Sequence, residues 1–187
     1  FTLMELMVVI SIIGILAAIT IPAAIQIVAN AKKKVALNDA NQLTMAITSF
    51  FTEYRKYPTR NLEPDHGDKP TLSDHGLMDI LIPSDKEAGP GGLNPRRHGS
   101  LSYRNARPMR GDRYRGGIVL QSDGSGTLWD PYGYHYRVVM DTDYNHRIPA
   151  PGFDSGTEAI MQGVIVWSPG DDGDDATVED NIMTWRP

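Results

Sequence analysis

Cysteine is absent from all 187 residues, which excludes a disulfide framework and any thiolate metal site. A small periplasmic or extracellular domain without disulfides needs another staple, such as a metal ion or polymerisation. An excess of basic charge is also missing. Lys and Arg number 18 against 23 Asp and Glu, a formal net charge of -5, which argues against nucleic acid as the partner of the whole molecule. Signatures of catalysis are missing as well: there is no nucleophile elbow, P-loop or C-x-x-C. Histidines stand at 66, 75, 98, 135 and 146 without H-x-x-x-H spacing. A hydrolytic enzyme needs a convergent acid, base and nucleophile. No such set assembles here, so the chain is expected not to be an enzyme. No internal repeat is present.

The hydrophobic content of 41% averages two unlike parts. Phe1 to Ala29 reads FTLMELMVVISIIGILAAITIPAAIQIVA, with Glu5 as its only charge, whereas the rest is polar and rich in Gly and Pro. As a helix the apolar run extends about 43 Å at ~1.5 Å per residue, more than the ~30 Å core of a bilayer. Such a run is a membrane span or a helix buried on all sides. A secretory signal peptide starts with Met and basic residues and ends at a small-residue cleavage site. This run starts with Phe and an acid and is followed by Lys32, Lys33 and Lys34. The chain is therefore expected to have been processed upstream of Phe1, by removal of a basic leader that would also reconcile the lysines with the positive-inside rule.

Two features set the run apart from a generic anchor. A carboxylate at Glu5 is costly in lipid and needs a partner. The nearest cation is the α-amino group of residue 1, in the same chain or a neighbour. Pro22 removes a backbone donor, and the reading is one long helix from about Thr2 to Tyr54, locally broken between Gly14 and Pro22.

The segment FTLMELMVVISIIGILAAITIP closely resembles the mature N-terminus of type IV pilins and type II secretion pseudopilins. The marks of that family fall on Phe1, Glu5, Gly14 and Pro22. The resemblance implies that a prepilin peptidase removes the leader and N-methylates Phe1. It implies that Glu5 neutralises the N-terminal amine of an adjacent subunit during assembly on an inner-membrane platform. The subunit would wait in the inner membrane with its head in the periplasm, then enter a periplasmic or extracellular homopolymer.

Beyond Lys34, Ala36, Ala40, Leu43, Ile47, Phe50 and Tyr54 recur at spacings of three and four, an amphipathic stripe. Tyr57-Pro58 ends it. Three segments follow: an apolar transmembrane or filament-core helix over 1-30, an amphipathic continuation over 31-57 and a head over 58-187. In the head, Gly76 to Leu81 reads as a short helix, and the rest of Thr59 to Arg115 as loop. Gly117 to Leu120 (GIVL), Tyr134 to Met140 (YHYRVVM) and Gly163 to Trp167 (GVIVW) read as strands, with turn signals at Asp123-Gly124 and Tyr132-Gly133. The fold class is α+β: a pilin fold with one long apolar-spined helix on a small antiparallel sheet with long loops.

The order of motifs in the head resembles major pseudopilins: YRKYPT at Tyr54 to Thr59, Gly76-Leu77, Asp130-Pro131-Tyr132-Gly133, and the tail Ser168 to Gly173 through Asp180-Asn181-Ile182 to Trp185. Insertions at Thr59 to Gly76, Leu81 to Gly117 and Asp141 to Met161 depart from that pattern. They leave a secretion pseudopilus and a stand-alone surface fibre both open.

The tail gathers Asp171, Asp172, Asp174, Asp175, Glu179 and Asp180. Ca²⁺ takes six to eight oxygens from carboxylates and carbonyls, while the EF-hand spacing is absent. The alternative is a solvated acidic loop. The resemblance implies a calcium ion held by Asp172, Asp180 and Asn181, the last an amide where the family usually has an acid, with Pro169 and Val178 as backbone candidates. The middle loop carries Arg96, Arg97, Arg104, Arg107, Arg110, Arg113 and Arg115 with Tyr103 and Tyr114 interleaved. Such mixtures bind single-stranded nucleic acid. Net acidity favours contact with the acidic tail of this or a neighbouring subunit instead. The functional expectation is a filament-forming structural subunit of a pilus or pseudopilus. The rival is a membrane-anchored calcium- or ligand-binding module that forms no filament.

Overall fold

The computed structural model describes the chain except Phe1, residues 60-69, Pro83, Asp85, Lys86, 88-90, Ser100, Ser102, Tyr103, Ser155, Thr157 and Pro187. Two compact units emerge, Phe1–Lys34 and Val35–Pro187. A single helix, α1 (Leu3–Tyr54), is continuous in sequence across that division.

Helix α1 opens on a reciprocal cap. The Thr2 backbone N–H donates to Glu5 Oε2 at 2.7 Å, and the Glu5 N–H donates to Thr2 Oγ1 at 3.3 Å. This is the T-x-x-E capping box, which satisfies two orphan donors of the first turn. The helix closes where Arg55 turns into the left-handed region, at φ 55°, with its N–H on the Phe51 carbonyl at 2.7 Å. The expected break near Pro22 is not present: α1 is helical through Pro22. One proline costs the ladder one donor and a carbonyl clash. The apolar, Ala-rich neighbours on both sides, with Ala17, Ala18, Ala23 and Ala24, keep the remaining helical bonds. In the first unit α1 is long and apolar enough to cross a membrane, and its most apolar window is 0% buried.

In the second unit the amphipathic stripe lies where its period puts it. Ala36, Ala40, Leu43, Ile47 and Phe50 are wholly buried. They pack on an antiparallel sheet of four strands in the order β1 (Thr71–Leu72), β6 (Arg137–Met140), β9 (Val164–Ser168), β10 (Ile182–Met183). The central register pairs Val138 with Val166 and Met140 with Val164. Successive strand residues face opposite sides. Val138, Met140, Val164 and Val166 therefore join the helix side, while Val139, Ile165 and Trp167 join a second core with Ile148, Ile160 and Met183.

Helix α2 (His75–Leu81) is N-capped by Asp74, whose carboxylate accepts the Gly76 N–H at 2.9 Å. It closes the first core together with the hairpin β4 (Gly117–Leu120) and β5 (Gly126–Trp129). Two small ribbons complete the head: β2 (Arg107–Pro108) with β3 (Tyr114–Arg115), and β7 (Ile148–Pro149) with β8 (Ala159–Ile160).

Three expectations for the head need correction. The GIVL strand is not part of the main sheet; it pairs with Gly126–Trp129 around the Asp123-Gly124 turn. Strands of only two residues, Thr71–Leu72 and Ile182–Met183, complete the sheet instead, too short to show a period. The strand expected from Tyr134 begins at Arg137, because the preceding backbone is held by the Asp130 turn: the Tyr134 carbonyl accepts the Asp130 N–H at 2.9 Å. The stretch read as loop before Arg115 contributes β1 and the β2–β3 ribbon.

Candidate functional site

The first candidate is the apolar face of α1. Leu3, Met4, Ile13, Ile19 and Ile25, on different sides of the helix, are all exposed. Glu5 sits among them, and both of its described acceptor bonds fall on Oε2, from the Thr2 N–H and, at 3.1 Å, the Thr2 hydroxyl. The processing residue Phe1 and its α-amine, the expected partner of Glu5, lie outside the described residues. Gly14 has nothing within 4 Å of where a Cβ would stand. Pro22 lies inside the helix.

The second candidate is the C-terminal loop, where the structure brings Asp172 and Asp180 together. Asp180 Oδ2 accepts the backbone N–H groups of Asp171 at 2.8 Å and Asp172 at 3.3 Å. Gly170, at φ 75°, permits this approach, since a Cβ there would stand 2.4 Å from Asp180 Oδ2. The Asp172 carboxyl accepts the Asp174 N–H at 2.8 Å. That bond, then the Thr177 hydroxyl, holds it below its ordinary value, and the Asp180 carboxyl is also among its hydrogen-bonding neighbours. Asn181 donates from Nδ2 to the Asp175 carbonyl at 2.8 Å. Asp180 Oδ1 and Asn181 Oδ1 are buried and accept no hydrogen bond. Two orphaned buried oxygens from consecutive residues are costly unless something electropositive meets them.

Of the backbone candidates, Pro169 is buried at the start of the loop and Val178 packs its side chain on the second core. Among the described residues no three His, Asp or Glu side chains form a metal-holding group. The oxygens gathered here come from two carboxylates and one amide. The loop is anchored in its middle: Arg137 Nε donates to Asp175 at 3.1 Å, and Trp167 Nε1 donates to the same carboxylate at 3.0 Å. Trp185 Nε1 and Arg186 donate to the buried Asp154 and fasten the C-terminal end.

Among the described residues, two arginines of the basic segment pair with acids of α1: Arg96 with Glu53 at 2.5 Å and Arg104 with Asp39 at 2.6 Å. Asp39 is buried within the apolar stripe. Burial pushes its carboxyl up from the ordinary value, and Arg104 pulls it down. Tyr103 lies outside the described residues.

Two polar anchors escaped the sequence reading. Asp39 was visible only as an acid beside a stripe position. Asp130 belonged to a recognised turn motif, but its role needed coordinates. Its Oδ1 accepts the N–H groups of Tyr132, Gly133 and Tyr134 at 2.9, 2.7 and 2.8 Å, and its Oδ2 accepts the Ser168 hydroxyl at 2.6 Å. It thereby ties the turn before β6 to the root of the C-terminal loop. Burial raises its carboxyl above the ordinary value, against the opposing pull of those hydrogen bonds.

The arrangement is an α+β fold consistent with that of pilins: one long helix, apolar in its first part and amphipathic in its second, with a small antiparallel sheet. No family model and no solved structure matches the chain. It is similar to the type IV major pilin protein PilA of Myxococcus xanthus (strain DK1622), 49% identical over 57 residues, which are 30% of this chain and 26% of that pilin. The likeness supports a type IV pilin-like family for this chain, although the match spans only about a quarter of the pilin's length.

Proposed function

We propose that this protein is a structural subunit that polymerises through its N-terminal helix into a pilus or pseudopilus filament, as a surface fibre or in support of type II secretion. The observation that carries the reading is the contrast along α1. From Ala36 onward one face is buried in the head, whereas the large apolar side chains from Leu3 to Val28 are exposed all round. Burying each such side chain away from water is worth roughly 1.5–3 kcal/mol. In lipid they are already sheltered, so leaving the bilayer for a filament gains little from the hydrophobic effect, and packing and charge must set the register. Glu5 is the only charge in that segment. On this reading it meets the N-terminal amine of a neighbour while the membrane holds the subunit ready. Gly14 and Pro22 mark the stretch where the ladder is easiest to open during packing, because one lacks a side chain and the other a donor. Pilin likeness points to a structural protein rather than an enzyme. Recovery of the native protein as sedimentable fibres supports this reading; recovery only as detergent-soluble monomers would favour the anchored-module alternative.

The C-terminal loop is proposed to hold a calcium ion. Asp172, Asp180 and the Asn181 amide oxygen would supply side-chain ligands, with loop carbonyls, Pro169 and Val178 among the candidates, completing the shell. The two buried oxygens without hydrogen bonds, Asp180 Oδ1 and Asn181 Oδ1, support the fit. The cation would supply positive charge that lets the carboxylates lie close. The chain's own contribution is to hold Asp180 by the Asp171 and Asp172 amides and to fasten the loop in its middle. With a neutral amide in the set, affinity is expected in the ~10⁻⁴–10⁻³ M class of extracellular sites. At free calcium ten-fold above the dissociation constant, linkage gives roughly 1.4 kcal/mol, a rise of a few degrees in Tm. Melting the full chain in detergent with calcium and with chelator, followed by tryptophan fluorescence, should show that rise, and Asp172→Ala should abolish it. Identical melting throughout would leave a solvated acidic loop.

A further inference from the structure

Six of the seven arginines from Arg96 to Arg115 divide into held and unheld. Arg96 and Arg104 pair with acids of α1. Arg113 lies over the Tyr134 ring, 4.4 Å from its centroid, and donates to the carbonyls of Gly133 and Tyr132. Arg107, Arg110 and Arg115 are exposed. Among the described residues no carboxylate lies within ion-pair distance of these three.

Two of the three are placed against each other. Arg107 and Arg115 are direct cross-strand partners in the β2–β3 ribbon. Like charges at opposed positions destabilise a strand pair, and a ribbon this short has little else to hold it. Asp112, the one acid between Arg104 and Arg115, pairs with neither among the described residues. Two arginines at opposed strand positions without a counter-charge are suited to receive carboxylates from outside the chain.

The chain itself displays such carboxylates. On the C-terminal loop Asp171 and Glu179 are exposed, and no cationic side chain among the described residues lies within ion-pair distance of either; Arg137 takes Asp175. Tyr134 connects the two regions, its ring under Arg113 and its hydroxyl donating to the Asp172 carbonyl at 3.2 Å. A polyanion approaching the ribbon would therefore meet six loop carboxyls nearby. A second copy of this chain offers the ribbon discrete carboxylates and receives the ribbon's charge in return.

We propose that the β2–β3 ribbon of one subunit docks on the C-terminal acidic loop of another copy, with Arg107 and Arg115 pairing with Asp171 and Glu179. The proposal rests on the filament reading and adds a contact between heads. In the filament the contact is used head to tail, the ribbon of one subunit on the loop of the next, the heterologous arrangement that an open helix requires. It uses acids other than the proposed calcium ligands.

The absence of native cysteine makes the test specific. Full-length Arg115→Cys and Glu179→Cys chains are co-expressed and treated with a bis-maleimide of about 10 Å span, since an Arg–Glu pair sets Cα atoms farther apart than a disulfide bridges. A mixed dimer that requires both variants and sediments with the filaments is expected. In parallel, Arg107→Glu with Arg115→Glu should lower sedimentable filaments roughly tenfold, and adding Asp171→Arg with Glu179→Arg to the same chain should restore them to within about twofold. Normal filaments without the mixed dimer would overturn this contact and leave the filament reading standing. Failure of the wild-type chain to form filaments would sink both. Salt-sensitive retention of the wild-type protein on DNA, lost in Arg107→Ala with Arg110→Ala, would reassign the ribbon to nucleic acid.

Discussion

Glu5→Ala is expected to leave the subunit in the membrane and to reduce filaments by more than roughly tenfold, because a charge pair that sets register is lost. Insertion should not suffer, since the variant removes the one charge in an otherwise apolar span. The cap at the start of α1 supplies the control. Glu5 accepts from Thr2 within its own helix, so loss of assembly could reflect a frayed first turn rather than a lost charge. Glu5→Gln keeps a residue type that serves at the third position of a capping box but carries no charge. Thr2→Ala keeps the charge and removes the capping hydroxyl. If charge pairing drives assembly, Glu5→Gln fails like Glu5→Ala and Thr2→Ala assembles. Immunoblots of the sheared fibre fraction against the membrane pool read the result. Normal fibres from Glu5→Gln would assign the residue to helix capping alone.

The largest effect on the stability of the head is expected at Asp130. Its buried carboxylate accepts three successive backbone N–H groups and the Ser168 hydroxyl. Asp130→Ala orphans those donors, two of them in part-buried bonds. At about 1–3 kcal/mol per abandoned buried donor, less where water reaches, the loss should be about 3–5 kcal/mol. Asp130→Asn should cost less than about 1.5 kcal/mol. Its Oδ1 can accept the same three N–H groups, its Nδ2 can donate to the Ser168 oxygen, and the burial cost of the charge is gone. All three tryptophans, Trp129, Trp167 and Trp185, lie in the head, so denaturation of the full chain in detergent can be followed by fluorescence. Equal destabilisation by Ala and Asn would show that the charge itself holds the turn.

The parts of the fold that repeat were legible in the sequence. The stripe from Ala36 to Phe50 has a helical period and is buried as that period requires. The β-branched and aromatic runs ending at Met140 and Trp167 gave two central strands, and both lie at the centre of the sheet. The parts without a period were not legible. Thr71–Leu72 and Ile182–Met183 are two residues long and owe their strand character to neighbours across the sheet. The pairing of Gly117–Leu120 with Gly126–Trp129 placed that strand outside the main sheet, a matter of tertiary context rather than local propensity. At Pro22 the local rule was applied too strongly, because a single missing donor did not end a helix of 52 residues. Of the loop residues, sequence identified Asp172, Asp180 and Asn181. It could not show that Asp180 Oδ1 and Asn181 Oδ1 would be buried without hydrogen bonds. It likewise grouped all seven arginines together, whereas long-range partners such as Asp39 and Glu53 separate them.

The most direct test of the central claim is a density map of fibres assembled from the native protein. The account predicts a fibre axis formed by the N-terminal helices, heads outside, and Glu5 of each subunit against the N-terminus of a neighbour. Fibres held by head-to-head contacts with the N-terminal helices outside the axis would contradict it, as would protein that remains monomeric in detergent under every assembly condition.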